Sequence, residues 1–487
     1  MRLVDLVRAA GLPVDTAGLA EVDIGAITAD SRDVGCGALF AALPGTRADG
    51  AAFIAQAVSR GAGAVLVPAG TPWPVGVAAV PLLRAHDPRR ALALMAAAFY
   101  AAQPATLVAI TGTNGKTSTA DFLRQLWTLA GERAAAIGTL GIVAEGFPPG
   151  PTLTTPDPVT LHERLAALAA AGVGHAAIEA SSHGLEQRRL DGTRLAAAGF
   201  SNLTRDHLDF HGCMVAYRAA KLRLFATLLP TGAPAVFNAD MDAVTLDGLR
   251  AIASRRGLRR IEVGEQGREI RLLAVHPQTT GQVLEIEAGG VRQTLDLTLP
   301  GRFQAENVLM AAALAIATGL PNALSLAPKL VGVRGRMEFC ARLPNGAAVY
   351  VDYAHTPDAL ERLLGALRPH VTGRLHVVFG AGGDRDPGKR PLMGDACARL
   401  ADRSWITDDN PRGEDPALIR AAIRETCPDA VEIGDRAEAI AAAMAALGPG
   451  DVLAVAGKGH ESGQTIGTVT LPFDDAAVVR RLAGVTP

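Results

Sequence analysis

The run Thr111-Gly112-Thr113-Asn114-Gly115-Lys116-Thr117-Ser118 has the residue types and order that hold a polyphosphate. An apolar run at 107–110 leads into it, and a helical pattern from about Lys116 to Leu129 follows. Glycines let the backbone curl until its N–H groups face phosphate oxygens, and the helix N-terminus adds the positive end of its dipole. Lys116 supplies a mobile cation for the β- and γ-phosphates, and Thr117 offers a hydroxyl to magnesium. The general phosphate-loop pattern has its first glycine where Ile110 stands, so this loop, with Gly112 instead, is a tighter version.

Further candidates follow in two groups. Glu179 closes the apolar run 176–178 and suits a hard cation. Asp206, His207, Asp209 and His211 crowd one short segment after a run ending at Phe200, a density that points to a metal–phosphate site. In the C-terminal third, Asp352-Tyr353-Ala354-His355, the glycine-rich run ending in Asp384-Arg385, Asp409-Asn410-Pro411-Arg412 and Gly457-Lys458-Gly459-His460-Glu461 each follow a strand-like run. Arg385 and Arg412 are planar carboxylate clamps, and Asp409 and Glu461 accept from an ammonium. That combination fits a zwitterionic, amino-acid-like ligand. The glycines at 380–383 do not have dinucleotide-fingerprint spacing.

The elements that must position these residues are legible as a rhythm. Apolar runs at 107–110, 134–137, 176–178, 196–200 and 235–237 alternate with helix-length segments, which predicts βαβ units and a mostly parallel sheet. Alternation between 261 and 300 predicts a β-hairpin appendage. The rhythm restarts past Gly335, with strands expected at 348–351, 375–379, 403–406, 430–433 and 452–455. The expected fold is therefore α/β with three domains: a small N-terminal domain over 1–88, a central phosphate-loop domain over 89–333 and a Rossmann-like C-terminal domain over 334–487. In open α/β sheets ligands gather at the carboxyl ends of strands, where nearly every polar cluster above falls.

Composition narrows the function. The 487 residues carry a formal net charge of −2, without the basic excess that nucleic-acid or membrane-surface binding needs. Five scattered cysteines suggest neither a zinc site nor a disulfide framework. With no signal-peptide pattern and no long apolar span, the chain is expected to be cytoplasmic. ATP, magnesium and an amino-acid pocket together imply carboxylate activation by phosphorylation, then attack by an amine.

The phosphate loop, the segments at 179–185 and 202–211, Gly301-Arg302-Phe303-Gln304-Ala305-Glu306-Asn307, Gly335-Arg336-Met337-Glu338 and the four C-terminal loops occur in one order. In this the chain resembles the Mur ligases of peptidoglycan synthesis over essentially its whole length. The resemblance implies UDP-N-acetylmuramoyl-L-alanyl-D-glutamate and meso-2,6-diaminopimelate as substrates and a monomeric enzyme. It implies that Thr117, Glu179 and His207 serve magnesium and that Lys221 is carbamylated to help hold it. Asn307, Arg336, Asp352 and His355 would join Gly112–Ser118 around the nucleotide. Ser31, Thr46, Arg47 and Ala48 would meet the uridine side, and Thr154, Thr155, Ser181, Gln187 and Arg189 the muramoyl peptide. Arg385, Asp409, Asn410, Pro411, Arg412, Gly457 and Glu461 would form the diaminopimelate pocket. Arg412 discriminates, because diaminopimelate has a far carboxylate that lysine lacks. Two other readings are a folylpolyglutamate synthetase-like ligase and a silent nucleotide-binding protein. The 409–412 motif argues against the first; the presence of Lys116, Glu179 and His207 argues against the second.

Overall fold

The computed structural model describes residues 1–12, 19, 21–45, 49–148, 150, 153–278 and 280–485. The chain divides into two compact units, Met1–Glu262 with Ala313–Pro321, and Val263–Ala312 with Asn322–Pro487.

The first unit holds two sheets. Four parallel strands, Ala26–Thr28, Ala38–Ala41, Ala64–Pro68 and Leu82–Ala85, are paired in chain order. Helices Leu3–Ala9 and Pro88–Tyr100 cover them through Leu3, Leu6, Leu92 and Met95, packed on Leu39, Leu66 and Leu83. The second sheet runs Pro234–Asn238, Ala197–Phe200, Thr106–Thr111, His175–Glu179, Ala134–Gly138 and Gly141–Val143. The pairings among these six strands are parallel except the last. All five expected strands of this region are present, and Thr106–Thr111 lies between two strands that come later in the chain. Such a point, with crossovers leaving on both sides, opens a crevice at the strand ends. The phosphate loop leaves from there.

Several helices start with one local device. Asp87, Asp157 and Asp415 each accept backbone N–H bonds as N-caps, and each is followed by proline in the first turn. Thr356 with Pro357 repeats it. The cap satisfies an otherwise orphaned donor, and proline is tolerated because its missing N–H would have had no partner there.

In the second unit the expected hairpin over 261–300 is a three-stranded meander, Ile270–Gln278, Gly281–Ala288 and Val291–Leu297. Its second turn, Gly289-Gly290, has φ of 58° and 78°. Two consecutive left-handed residues are what a two-residue hairpin turn requires. The other sheet is ordered Glu338–Arg342, Ala348–Asp352, Val452–Ala456, Leu375–Phe379, Arg403–Ile406 and Val431–Glu432. Glu338–Arg342 was not expected, and the strand expected at 430–433 shortens to Val431–Glu432. A two-stranded hairpin, Gly463–Ile466 with Val469–Pro472, was also not anticipated. No helix among the described residues is long and apolar enough to cross a membrane.

His370 ties the head of helix Arg302–Ala317 to the meander. Its Nε2 accepts from Gly301 N at 2.9 Å and its Nδ1–H donates to Gln278 O at 2.6 Å, so the ring is neutral. Burial holds its pKa below the ordinary value. The unfolded chain binds a proton here near pH 6.5, so the contribution is complete above that pH and is lost as pH falls through the lower folded pKa. Urea unfolding is expected to show a falling midpoint between about pH 7 and pH 5, with a shallower fall in His370→Gln.

Candidate functional site

Gly112 has φ of 144°, and a Cβ built on it would lie 1.9 Å from Ser201 Oγ. Only glycine permits this approach between the phosphate loop and the 201–204 segment. Ser201 Oγ donates to Asn114 O at 2.6 Å, Asn114 N donates to Asn202 Oδ1 at 2.9 Å, and Thr204 N donates to Thr113 Oγ1 at 3.0 Å. Gly115, with φ of 84°, is the N-cap of helix Lys116–Leu129. The loop is thus shaped by its neighbour before any ligand arrives. Lys116 Nζ donates to Gly112 O at 3.0 Å and Thr113 O at 2.8 Å, bonds that a phosphate oxygen would replace.

Glu179 ends its strand beside the loop. Thr117 Oγ1 donates to its Oε2 at 3.1 Å, Thr139 N to its Oε1 at 2.7 Å, and Thr139 Oγ1 to Oε2 at 3.3 Å. Thr154 Oγ1 lies 3.1 Å from Thr139 Oγ1. A Cβ on Gly138 would fall 2.0 Å from Glu179 Oε1, so the strand end must be bare for the carboxylate to sit there. Thr117 and Glu179 are hard oxygen donors held side by side. Among the described residues no three His, Cys, Asp or Glu side chains form a metal cluster. Magnesium does not require one, since it is commonly held by one or two protein oxygens with phosphates and water. The donor set fits that ion.

Lys221 is 1% exposed, and its Nζ donates to Gly112 O at 2.7 Å, the same carbonyl that Lys116 uses. Burial pushes its pKa well below the ordinary value, and Lys116 pushes it further down against Asp206. Two ammonium groups on one carbonyl repel, so the buried one is the amine that sheds its proton. His207 is exposed, in a left-handed conformation, with Asp206 Oδ2 3.4 Å from its Nε2. Partial desolvation of the ring, partly opposed by Asp206, and then Lys116 lower its pKa. Its ring lies 4.9 Å from that of His183, which also packs against Phe210 with centroids 4.1 Å apart. Burial pushes His183 down to about 4, helped by His207 and His211.

Thr155 Oγ1 donates to Glu179 O at 2.7 Å and accepts from Ser181 N at 2.9 Å. Ser181 caps helix Ser182–Glu186. Arg189 donates to Thr155 O at 2.6 Å and to Gln187 Oε1 at 2.7 Å. Thr154, Thr155, Ser181, Gln187 and Arg189 therefore form one network running from Glu179. Ser31 lies apart in the first sheet's layer, donating to Gln56 Oε1 at 2.9 Å. Thr46, Arg47 and Ala48 lie outside the described residues.

The second unit gathers the other predicted residues. Asp352 Oδ2 accepts from Met337 N at 2.6 Å and its Oδ1 from Ala354 N at 2.8 Å, while burial raises its pKa. Arg336 lies over the Tyr353 ring at 4.8 Å, and the His355 ring lies against it, tilted by 59°, with centroids 4.6 Å apart. Asn307 donates to Gln304 Oε1 at 3.1 Å, and Gln304 reaches Arg336 O at 3.5 Å. A Cβ on Gly382 would lie 2.8 Å from Arg412 Nη1 and 3.9 Å from Arg385 Cγ, so the Arg412 guanidinium and the stem of Arg385 lie beside one glycine. Arg412, at φ of 50°, donates to Gly383 O at 2.9 Å. Pro411 O lies against Gly383, where a Cβ would be 1.9 Å away. A Cβ on Gly457 would come within 2.7 Å of Asp409 Oδ2, a buried oxygen without a hydrogen-bond partner. Asn410 donates to Glu461 Oε2 at 3.0 Å.

Sequence reasoning missed Gly138, Thr139 and Ser201 in the first unit and the 463–472 hairpin in the second. Thr139 was within reach of the strand-end rule. The hairpin was not, because its backbone bonds to Arg412 depend on a long-range approach.

A phosphate loop at a sheet crossover with a carboxylate beside it is the equipment of an ATP-using enzyme. Residues 110–315 match the Mur ligase middle domain, residues 335–459 the Mur ligase glutamate ligase domain, and residues 23–100 the Mur ligase family catalytic domain. A UDP-N-acetylmuramoyl-L-alanyl-D-glutamate–2,6-diaminopimelate ligase of Caulobacter vibrioides is 55% identical over 473 residues, covering 95% of this chain and 96% of its own. The enzyme of that name from Chelativorans is 53% identical, over 96% of this chain and 97% of its own. A solved structure of a ligase with this name superposes with a TM-score of 0.73 at 33% identity, covering 99% of both chains. The chain belongs to the Mur ligase family.

Gly138→Ala is expected to displace the Glu179 carboxylate. ATP-dependent turnover should fall by about a hundredfold, the scale of an ångström-sized misplacement in a catalytic site, while thermal unfolding shifts little.

Proposed function

We propose that this chain is the ATP-dependent ligase that joins meso-2,6-diaminopimelate to UDP-N-acetylmuramoyl-L-alanyl-D-glutamate, working as a cytoplasmic monomer. The observation that carries the substrate assignment is the 409–412 loop: the Arg412 guanidinium and the stem of Arg385 at Gly382, and Asp409 at Gly457, within one unit. Arginine forks receive carboxylates, and the carboxylates receive ammonium. The far end of diaminopimelate supplies both.

The chemistry transfers the γ-phosphoryl group of ATP to a carboxylate oxygen of the D-glutamyl residue, giving an acyl phosphate and ADP. The amine of diaminopimelate then attacks the acyl carbon, the carbon–oxygen bond to phosphate breaks, and the amine loses a proton as the amide forms. Lys116 would leave the carbonyls of Gly112 and Thr113 for the β- and γ-phosphates. Loop N–H groups and the helix N-terminus would stabilise charge on the transferring group. Thr117 and Glu179 would hold magnesium, with His207 close to a second ion. Bound magnesium supplies charge neutralisation across the phosphates. Burial favours the neutral amine of Lys221, and that form would add carbon dioxide, forming a nitrogen–carbon bond and releasing a proton to give a carbamate. Asn307, Arg336, Asp352 and His355 are the remaining nucleotide contacts in this reading. The Thr154–Thr155–Ser181–Gln187–Arg189 network would receive the muramoyl peptide, and Ser31 the uridine side.

Phosphate release from ATP is expected only when both the UDP-muramoyl dipeptide and diaminopimelate are supplied. Arg412→Ala should lower kcat/KM for diaminopimelate by about a hundredfold, the scale of a lost charged hydrogen bond. Lys116→Ala should abolish turnover. Equal turnover with L-lysine in the wild-type chain would sink the substrate assignment.

A further inference from the structure

Lys458 is a buried charge for which the reaction above has no use. Its side chain is 0% exposed. Its Nζ donates to Asn410 Oδ1 at 3.1 Å and lies 3.2 Å from Glu461 Oε2. Burying an ammonium is costly unless it is paired and hydrogen-bonded, so a lysine kept here needs these two acceptors.

The surrounding bonds show what it fixes. Asn410 Oδ1 also accepts from Thr465 N at 2.8 Å, while Asn410 Nδ2 donates to Glu461 Oε2 at 3.0 Å. The amide oxygen faces two donors and the amide nitrogen faces a carboxylate, so only one orientation of the Asn410 side chain satisfies all three. Glu461 Oε2 in turn receives both Lys458 and Asn410. The Glu461 side chain remains 34% exposed. Its Oε1 is the oxygen left for a ligand.

Charge points the same way. Asp409 and Glu461 place two carboxylates at the pocket, and Lys458 offsets one. Nearby Arg436 is paired with Asp475, two bonds at 2.7 Å, and that pair is neutral as a unit. Without Lys458 the two carboxylates would repel, and Asn410 could turn its amide over.

We propose that Lys458 is a positioning residue of the amino-acid pocket: it locks Asn410 and commits one oxygen of Glu461, so that the remaining carboxylate oxygens meet a single ammonium of the incoming amino acid. The inference rests on the ligase reading above and deepens it.

The test is steady-state kinetics on the full-length chain, with KM measured separately for diaminopimelate, ATP and the UDP-muramoyl dipeptide. Lys458→Met should raise KM for diaminopimelate by about ten- to a hundredfold, the scale of lost charge-assisted hydrogen bonds, and leave the other two KM values within about twofold. Lys458→Gln, which keeps a donor without the charge, should fall between Met and wild type and serves if Lys458→Met does not fold. In the Glu461→Gln background, Lys458→Gln should add much less than it does alone, because both changes act on one interaction. A parallel rise in all three KM values, an unchanged KM for diaminopimelate, or fully multiplicative effects in the double variant would overturn the role. Wild-type protein that turns over no diaminopimelate would overturn the ligase reading and this inference with it.

Discussion

Two lysines share one backbone carbonyl in this protein, and the arrangement of the loop around Gly112 is built about that contact. The carbonyl of Gly112 receives Lys116 at 3.0 Å and Lys221 at 2.7 Å. Both cannot stay charged at low cost, and the more buried Lys221 yields. The carbonyl can be in that place only because Gly112 lies against Ser201 with no side chain between them. Ser201 and Asn202 then hold Asn114, and Thr204 holds Thr113. The loop is therefore pre-shaped by the neighbouring strand end. Its backbone donors are already shaped while Lys116 rests on the Gly112 and Thr113 carbonyls, which is what electrostatic preorganisation requires.

The second unit uses the same logic with different parts. Its loops are pinned by backbone bonds as well as by their own side chains. Thr465 accepts from Arg412 N, and Gly467 N donates to Arg412 O, which holds Arg412 in its left-handed conformation. Gln464 donates to Asp409 O at 2.8 Å. The hairpin Gly463–Ile466 with Val469–Pro472 thus braces the loop that carries the arginine and the acid. Glycines 382, 383 and 457 supply the close approaches that a side chain would block.

Much of this was legible in the sequence, for stated reasons. Strands such as Thr106–Thr111 and His175–Glu179 are short, apolar and bounded by turn signals, and polar residues just beyond them fall at the ligand edge of a parallel sheet. Glu179 and the phosphate loop followed from that rule. The meander was read as one hairpin because its first strand, Ile270–Gln278, carries charged and polar residues and is partly exposed. Glu338–Arg342 escaped notice because its register shifts at a bulge between Phe339 and Ala341, which breaks the alternation. Lys458 looked like one polar residue in a loop, since its two partners are 48 and 3 positions away and only folding joins them.

The central claim is that the first unit activates a carboxylate by phosphorylating it. The most direct measurement is oxygen-isotope transfer, using UDP-muramoyl dipeptide whose D-glutamyl carboxylates carry oxygen-18. The account predicts that each released phosphate contains one labelled oxygen, because the carbon–oxygen bond breaks when the amine attacks the acyl phosphate. Unlabelled phosphate alongside amide product, or release of AMP in place of ADP, would contradict it.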